Sequence, residues 1–142
     1  MLSFKQKDEH MKIHRGRGYV YGIEYHIVWY VKYRRKVLTP VVAERLGVIL
    51  NGFAEDNGFV IREYNTDLDH VHLLVEASPQ HYIPNMIRGM KGISARELFK
   101  SFPRLKDKLW GGHMWNPSYF VATVSENTEE QVRSYIQSQK ER

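Results

Sequence analysis

The run Asp69-His70-Val71-His72-Leu73-Leu74-Val75 carries two histidines two positions apart. Side chains alternate along a β-strand, so His70 and His72 share one face, while Val71, Leu73 and Val75 face a core on the other. Two adjacent neutral imidazoles supply half of a metal site, and Asp67 or Asp69 could orient them from behind. A second pair lies near the C-terminus. On a helix, Tyr135 and Gln139 are four apart and lie on one face. A tyrosine hydroxyl, with an ordinary pKa of about 10, is a poor nucleophile at neutral pH unless its target is activated. A divalent cation held by two histidines and an amide oxygen would polarise a DNA phosphate and position it for in-line attack. The product would be a phosphotyrosine linkage that retains the phosphodiester energy, so strand rejoining would need no ATP. No P-loop is present, in agreement with that chemistry. Nitrogen and oxygen ligation beside a phosphate suits magnesium or manganese better than zinc.

Each feature taken singly has an ordinary packing explanation. Histidines on a strand are commonly satisfied by polar neighbours without a ligand, and Tyr135 is one of nine tyrosines. Rival metal sites are absent from the sequence, however. There is no cysteine and no His-Glu-x-x-His motif. Two histidines alone do not close a structural zinc site.

The elements that must position these residues follow from periodicity. Residues 19–32 alternate, with Tyr21, Ile23, Tyr25, Ile27, Trp29 and Val31 on one face and Glu24, His26 and Lys32 on the other, which predicts one long strand. Thr39-Pro40 reads as a helix N-cap and first residue, followed by Val42, Leu46, Ile49, Leu50 and Phe53 at helical spacing. Asn57-Gly58 ends that helix. Residues 59–65 and 70–77 read as strands around a turn at 67–69. Ile83, Met86, Ile87, Met90 and Leu98 predict a helix over 83–100, with Pro84 in its first turn and Gly89 and Gly92 as weak points. Residues 102–117 read as loop and 119–124 as a strand. Thr128 and Gln131 fit a capping box for a last helix reaching about Gln139, with Val132 and Ile136 as its apolar stripe.

The order is βαββαβ plus a terminal helix, an α+β chain of ferredoxin-like type. Its antiparallel sheet places the first and third strands at the centre, with helices on one face and the other face free for a site. The two segments expected are a basic N-terminal arm, 1–18, loose in structure, and a catalytic domain, 19–142.

Bulk properties agree. The 142 residues suit one domain, and 42% hydrophobic content supports a packed core. A net charge of +5 leans toward polyanions. The missing cysteines fit a reducing cytoplasm, and no apolar run approaches the ~18 residues of a membrane span.

The triplet His70-Val71-His72 together with Tyr135-Ile136-Gln137-Ser138-Gln139 resembles the single-tyrosine HUH transposases of small bacterial and archaeal insertion sequences. Tyr25-His26-Ile27-Val28-Trp29-Tyr30-Val31-Lys32-Tyr33-Arg34 is similar to the same family, as are Leu109-Trp110-Gly111-Gly112 and Trp115-Asn116-Pro117-Ser118-Tyr119-Phe120. The resemblance implies that His70 and His72 are metal ligands, that Gln139 completes the metal site, and that Tyr135 is the nucleophile that keeps the 5′ phosphate. It further implies Mg2+ or Mn2+ as cofactor, single-stranded DNA with subterminal hairpins as substrate, and a homodimer in which the tyrosine helix can act in trans. Leu68 departs from the family pattern, where proline often precedes the Asp-His pair. Arg88, Lys91, Arg96, Arg104, Lys106 and Lys108 are candidates for phosphate contacts, with exposed aromatics stacking on unpaired bases. His26, His81 and His113 carry no assigned role. Three other readings compete: a domesticated transposase or replication-type nickase with the same chemistry, a catalytically silent single-strand-binding module, and a His-based metal hydrolase that does not need Tyr135. An RNP1-like aromatic signature is lacking, which weighs against an RNA-recognition domain.

Overall fold

The structure, a computed structural model, describes residues 3–5, 14–16, 19–124 and 129–140. Seven strands are present among them: β1 (Ser3–Lys5), β2 (His14–Gly16), β3 (Tyr19–Tyr21), β4 (Ile23–Tyr30), β5 (Val60–Asp67), β6 (His70–Ala77) and β7 (Phe120–Thr123). The helices are α1 (Pro40–Asn57), α2 (Ile83–Ser101), the single turn α3 (Leu105–Lys108) and α4 (Glu129–Lys140). One antiparallel sheet has the order β1-β5-β6-β4-β7. The strands at 23–30 and 70–77 are therefore central, as the ferredoxin-like pattern requires.

The first expected strand is broken in two. Gly22 has φ 136, a conformation that side chains with a Cβ rarely adopt. The chain turns there, so Tyr19–Tyr21 leaves the main sheet and pairs with His14–Gly16 in a separate hairpin. The basic arm is also paired in part. Ser3–Lys5 adds an edge strand alongside Glu63, Tyr64 and Asn65. The proposed Thr128 cap and the side chain of Val132 lie outside the described residues.

The helix boundaries follow from local chemistry. Pro40 sits in the first turn of α1 behind Thr39, although the Thr39 side chain makes no capping bond. The Ala43 amide donates to the Thr39 carbonyl at 2.7 Å instead. Gly58 closes the helix in the left-handed region at φ 76. One core lies between α1, α2 and the sheet, built on Leu46, Leu50, Ile27, Trp29, Leu73 and Leu98. The Tyr64 hydroxyl donates to the Ala43 carbonyl at 2.6 Å and pins β5 under α1. The loop expected at 102–117 contains α3 and a 3-10 turn at Trp110–Gly112.

The helix pair α1 and α2 meets at a glycine. A Cβ on Gly89 would collide with Cζ of Phe53, whereas one on Gly52 would meet nothing within 4 Å. Gly→Ala improves helix propensity by about 1 kcal/mol at either position, but forced contact in a packed interface costs about 1–3 kcal/mol. Gly52→Ala is therefore expected to raise the thermal midpoint and Gly89→Ala to lower it. A common sign in calorimetry would rule out contact as the reason for Gly89.

Candidate functional site

Alternation along β4 and β6 splits their side chains between two faces. Ile27, Trp29, Val71, Leu73 and Val75 enter the main core. Val28 and Tyr30 form a second, smaller cluster on the opposite face, joined by Phe120 and by Tyr135 and Ile136 of α4. That face was expected to be open. It is instead partly covered, because the terminal helix lays its apolar residues on it.

His70 and His72 share this second face with Tyr30. The register pairs Tyr30 with His70 and Val28 with His72. A line of rings follows. The Tyr30 and His70 rings lie 4.8 Å apart, Tyr30 and Tyr135 6.3 Å, and Tyr135 stacks on Phe120 at 5.1 Å. The C-terminal tyrosine is thereby placed over β4 and β7, one strand across from the histidine pair on the same sheet face. The Tyr30 hydroxyl donates over a long 3.4 Å to the Ile136 carbonyl. Burial, and next the nearby Asp69 carboxylate, push its pKa up to about 12, so it stays protonated.

Asp69 fixes His70. Its Oδ1 lies 2.9 Å from Nδ1 of the imidazole. The carboxylate oxygen accepts, so Nδ1 is the donor and Nε2 takes no part in this bond. Of the two acids considered from sequence, Asp67 serves the turn instead, accepting from the Leu68 amide at 2.8 Å. His72 is held neutral. Burial, then the neighbouring His26 and His70, push its pKa down to about 4. Nδ1 of His26 lies 3.1 Å from Nε2 of His72, so the two rings are joined by a hydrogen bond. Sequence reasoning gave His26 no role. The signal was parity: it occupies the same strand face as Tyr30.

Gln139 is buried at the end of α4, and its main-chain carbonyl accepts from Nη1 of Arg34. Arg34 Nε lies 3.4 Å from Oδ2 of Asp69, so Gln139 connects to His70 through Arg34 and Asp69. Arg34 was missed because its position depends on backbone geometry. Tyr33 and Arg34 both have positive φ, 57 and 54, at a cost of about 1–3 kcal/mol each. Among the described residues, no three His, Asp or Glu side chains group to hold a metal.

The basic candidates divide. Arg88, Arg96, Arg104, Lys106 and Lys108 are exposed, whereas Lys91 is turned inward. Its Nζ donates to the carbonyls of Asn116 at 2.6 Å and Ser118 at 3.3 Å, near the Tyr119 ring. The Trp-Asn-Pro-Ser-Tyr segment is similarly structural. Trp115 Nε1 donates to Ser94 Oγ at 2.9 Å, and Asn116 Oδ1 accepts from the Ser118 amide and hydroxyl. A cavity of about 600 Å3 opens between this segment and α2, with Lys32, Arg88 and His113 on its walls.

Burial lowers the Lys91 pKa from about 10.5 to about 8. Between those values the unfolded chain holds the extra proton, so stability rises with pH across that window. Below about pH 8 both states are protonated and the burial penalty is fully present. Removing the amine should flatten this part of the profile: Lys91→Met is expected to gain less stability than wild type in denaturant titrations between pH 8 and 10. An identical slope in the two proteins would contradict the shift.

Residues 19–139 match the family model described as "Transposase IS200 like". The chain is 50% identical to the ISDra2 transposase TnpA of Deinococcus radiodurans, over 91% of this chain and 92% of that protein. It is 32% identical to the transposase for insertion sequence element IS200 of Salmonella typhimurium, covering 85% and 79% of the two chains. A solved structure of a candidate transposase from Deinococcus radiodurans superposes with a TM-score of 0.82 at 49% identity, covering 89% of this chain and 97% of that one. A REP-associated tyrosine transposase bound to a REP hairpin superposes with a TM-score of 0.55 at 16% identity, over 85% and 67% of the two chains, a likeness of fold alone. No helix among the described residues is long and apolar enough to cross a membrane.

Proposed function

The chain belongs to the IS200-like transposase family, and on that premise we propose that it cleaves and rejoins single-stranded DNA at insertion-sequence ends through Tyr135. The observation that supports this reading is the ring line from His70 through Tyr30 to Tyr135, which puts the tyrosine ring of α4 on the sheet face that carries the histidines. The Tyr135 oxygen attacks a backbone phosphorus, the bond to the leaving 3′ oxygen breaks, and the 5′ phosphate stays on the enzyme as a diester. Attack by a free 3′ hydroxyl reverses the step and rejoins a strand without an external energy source.

A divalent cation, Mg2+ or Mn2+, fits the donors. His70 has Nδ1 committed to Asp69, leaving Nε2 for a metal, and His72 is neutral. Gln139 would supply an amide oxygen. The cation would neutralise charge on the phosphate and so make it a target for a phenolic nucleophile. Nε2 of His72 is shared with His26, so that pairing and a metal bond at the same atom exclude one another. The substrate is single-stranded DNA with hairpin ends, bound along the exposed cations of α2 and the following loop, and the working form is a homodimer.

The test uses end-labelled single-stranded hairpin DNA, wild-type protein and manganese, resolved on a denaturing gel. A covalent adduct that releases phosphotyrosine on digestion supports the proposal. Cleavage without an adduct supports the metal-hydrolase alternative instead.

A further inference from the structure

The Tyr33-Arg34 turn is strained, and the strain has a use. It carries the Arg34 guanidinium to three groups at once. Nη1 donates to the Gln139 carbonyl. Nε approaches Oδ2 of Asp69 at 3.4 Å. The guanidinium carbon lies 5.8 Å from the centre of the Tyr30 ring. The Gln139 carbonyl belongs to the last turn of α4, whose final carbonyls have no partner within the helix and favour a cation. The other oxygen of the same Asp69 carboxylate holds His70, 2.9 Å away. Among the described residues, Val28 and Tyr30 are the fully buried members of the apolar cluster beneath α4, joined by Phe120, Tyr135 and Ile136.

We propose that Arg34 is a latch that seats the tyrosine helix on the histidine face and couples that seating to the orientation of His70. It is a positioning residue and touches no reacting atom. Its fork is needed, because one planar group must serve a carbonyl and a carboxylate together, and an ammonium offers a single point of charge. The catalytic consequence rests on Tyr135 being the nucleophile and His70 a ligand. The seating itself does not.

Hydrogen exchange on the full chain tests the seating. Arg34→Ala should speed amide exchange about tenfold in residues 129–140, with β4 and β6 unchanged, and Arg34→Lys should fall between. Unchanged exchange in 129–140 overturns the latch, and so does faster exchange spread over the whole domain. In the adduct assay at saturating hairpin DNA, Arg34→Ala should lower the rate about tenfold while DNA affinity stays the same, with Arg34→Lys partly restoring it. Faster exchange with an unchanged adduct rate overturns the coupling. Should the wild-type protein form no adduct at all, the nucleophile assignment fails, and the exchange data still decide the latch.

Discussion

Tyr135→Phe is expected to abolish the DNA–protein adduct, with a loss on the order of 10⁴-fold or more, the scale seen when a covalent nucleophile is removed. The substitution deletes one oxygen and leaves the ring. The stack on Phe120 and the contact with Tyr30 both survive, so α4 should remain seated and the fold should lose at most about 1 kcal/mol, as for a polar atom at a half-buried position. Affinity for hairpin DNA should stay within a few-fold of wild type. The pairing of near-normal binding with no adduct separates a missing nucleophile from a collapsed site. An adduct that persists in Tyr135→Phe, by contrast, would mean that another side chain attacks the phosphate.

Nearly as large an effect is expected from His72→Ala, about a thousand-fold in the rate of adduct formation, corresponding to about 4 kcal/mol of lost phosphate activation. A chelator should reproduce the loss in the wild-type protein, and manganese should reverse it. The imidazole is neutral well below neutral pH, so the ligand form is present throughout the ordinary range and needs no proton release to bind a cation. Tyr30 beneath α4 and the helix-side core are untouched, so exchange in α4 should change little. Chelator-resistant cleavage would remove the metal from the mechanism, and with it the role given to both histidines.

Much of this was legible in the sequence because it is periodic. The strand at 70–77 alternates with period two and was recovered to the residue. The helices at 40–57 and 83–101 carry their apolar stripes and their Pro and Gly signals openly. The central placement of the histidine strand followed from element order alone. What stayed hidden depends on contacts across the fold. Alternation in residues 19–32 continues through Gly22, and only the backbone angle at that glycine shows that the chain leaves the sheet. His26 meets His72 through strand register, a relation across 46 residues that spacing does not encode. Arg34 lies within a run of basic residues, where composition suggests a solvated surface, yet its guanidinium is turned onto Asp69 and the end of α4.

The two-sided strand β4 has a consequence for how this chain can vary. Its odd-numbered residues Ile27 and Trp29, with Val31 just past its end, fill the main core, and its even-numbered residues Val28 and Tyr30 line the face beneath the tyrosine helix. Stability and catalytic geometry are thus written on alternate letters of one stretch of chain. Drift at one parity is filtered by whether the protein folds, and drift at the other by whether it turns over. A single-residue insertion would exchange the two messages along the remainder of the strand. Substitution is the route of change open to this segment, and length variation must fall in the turns that flank it.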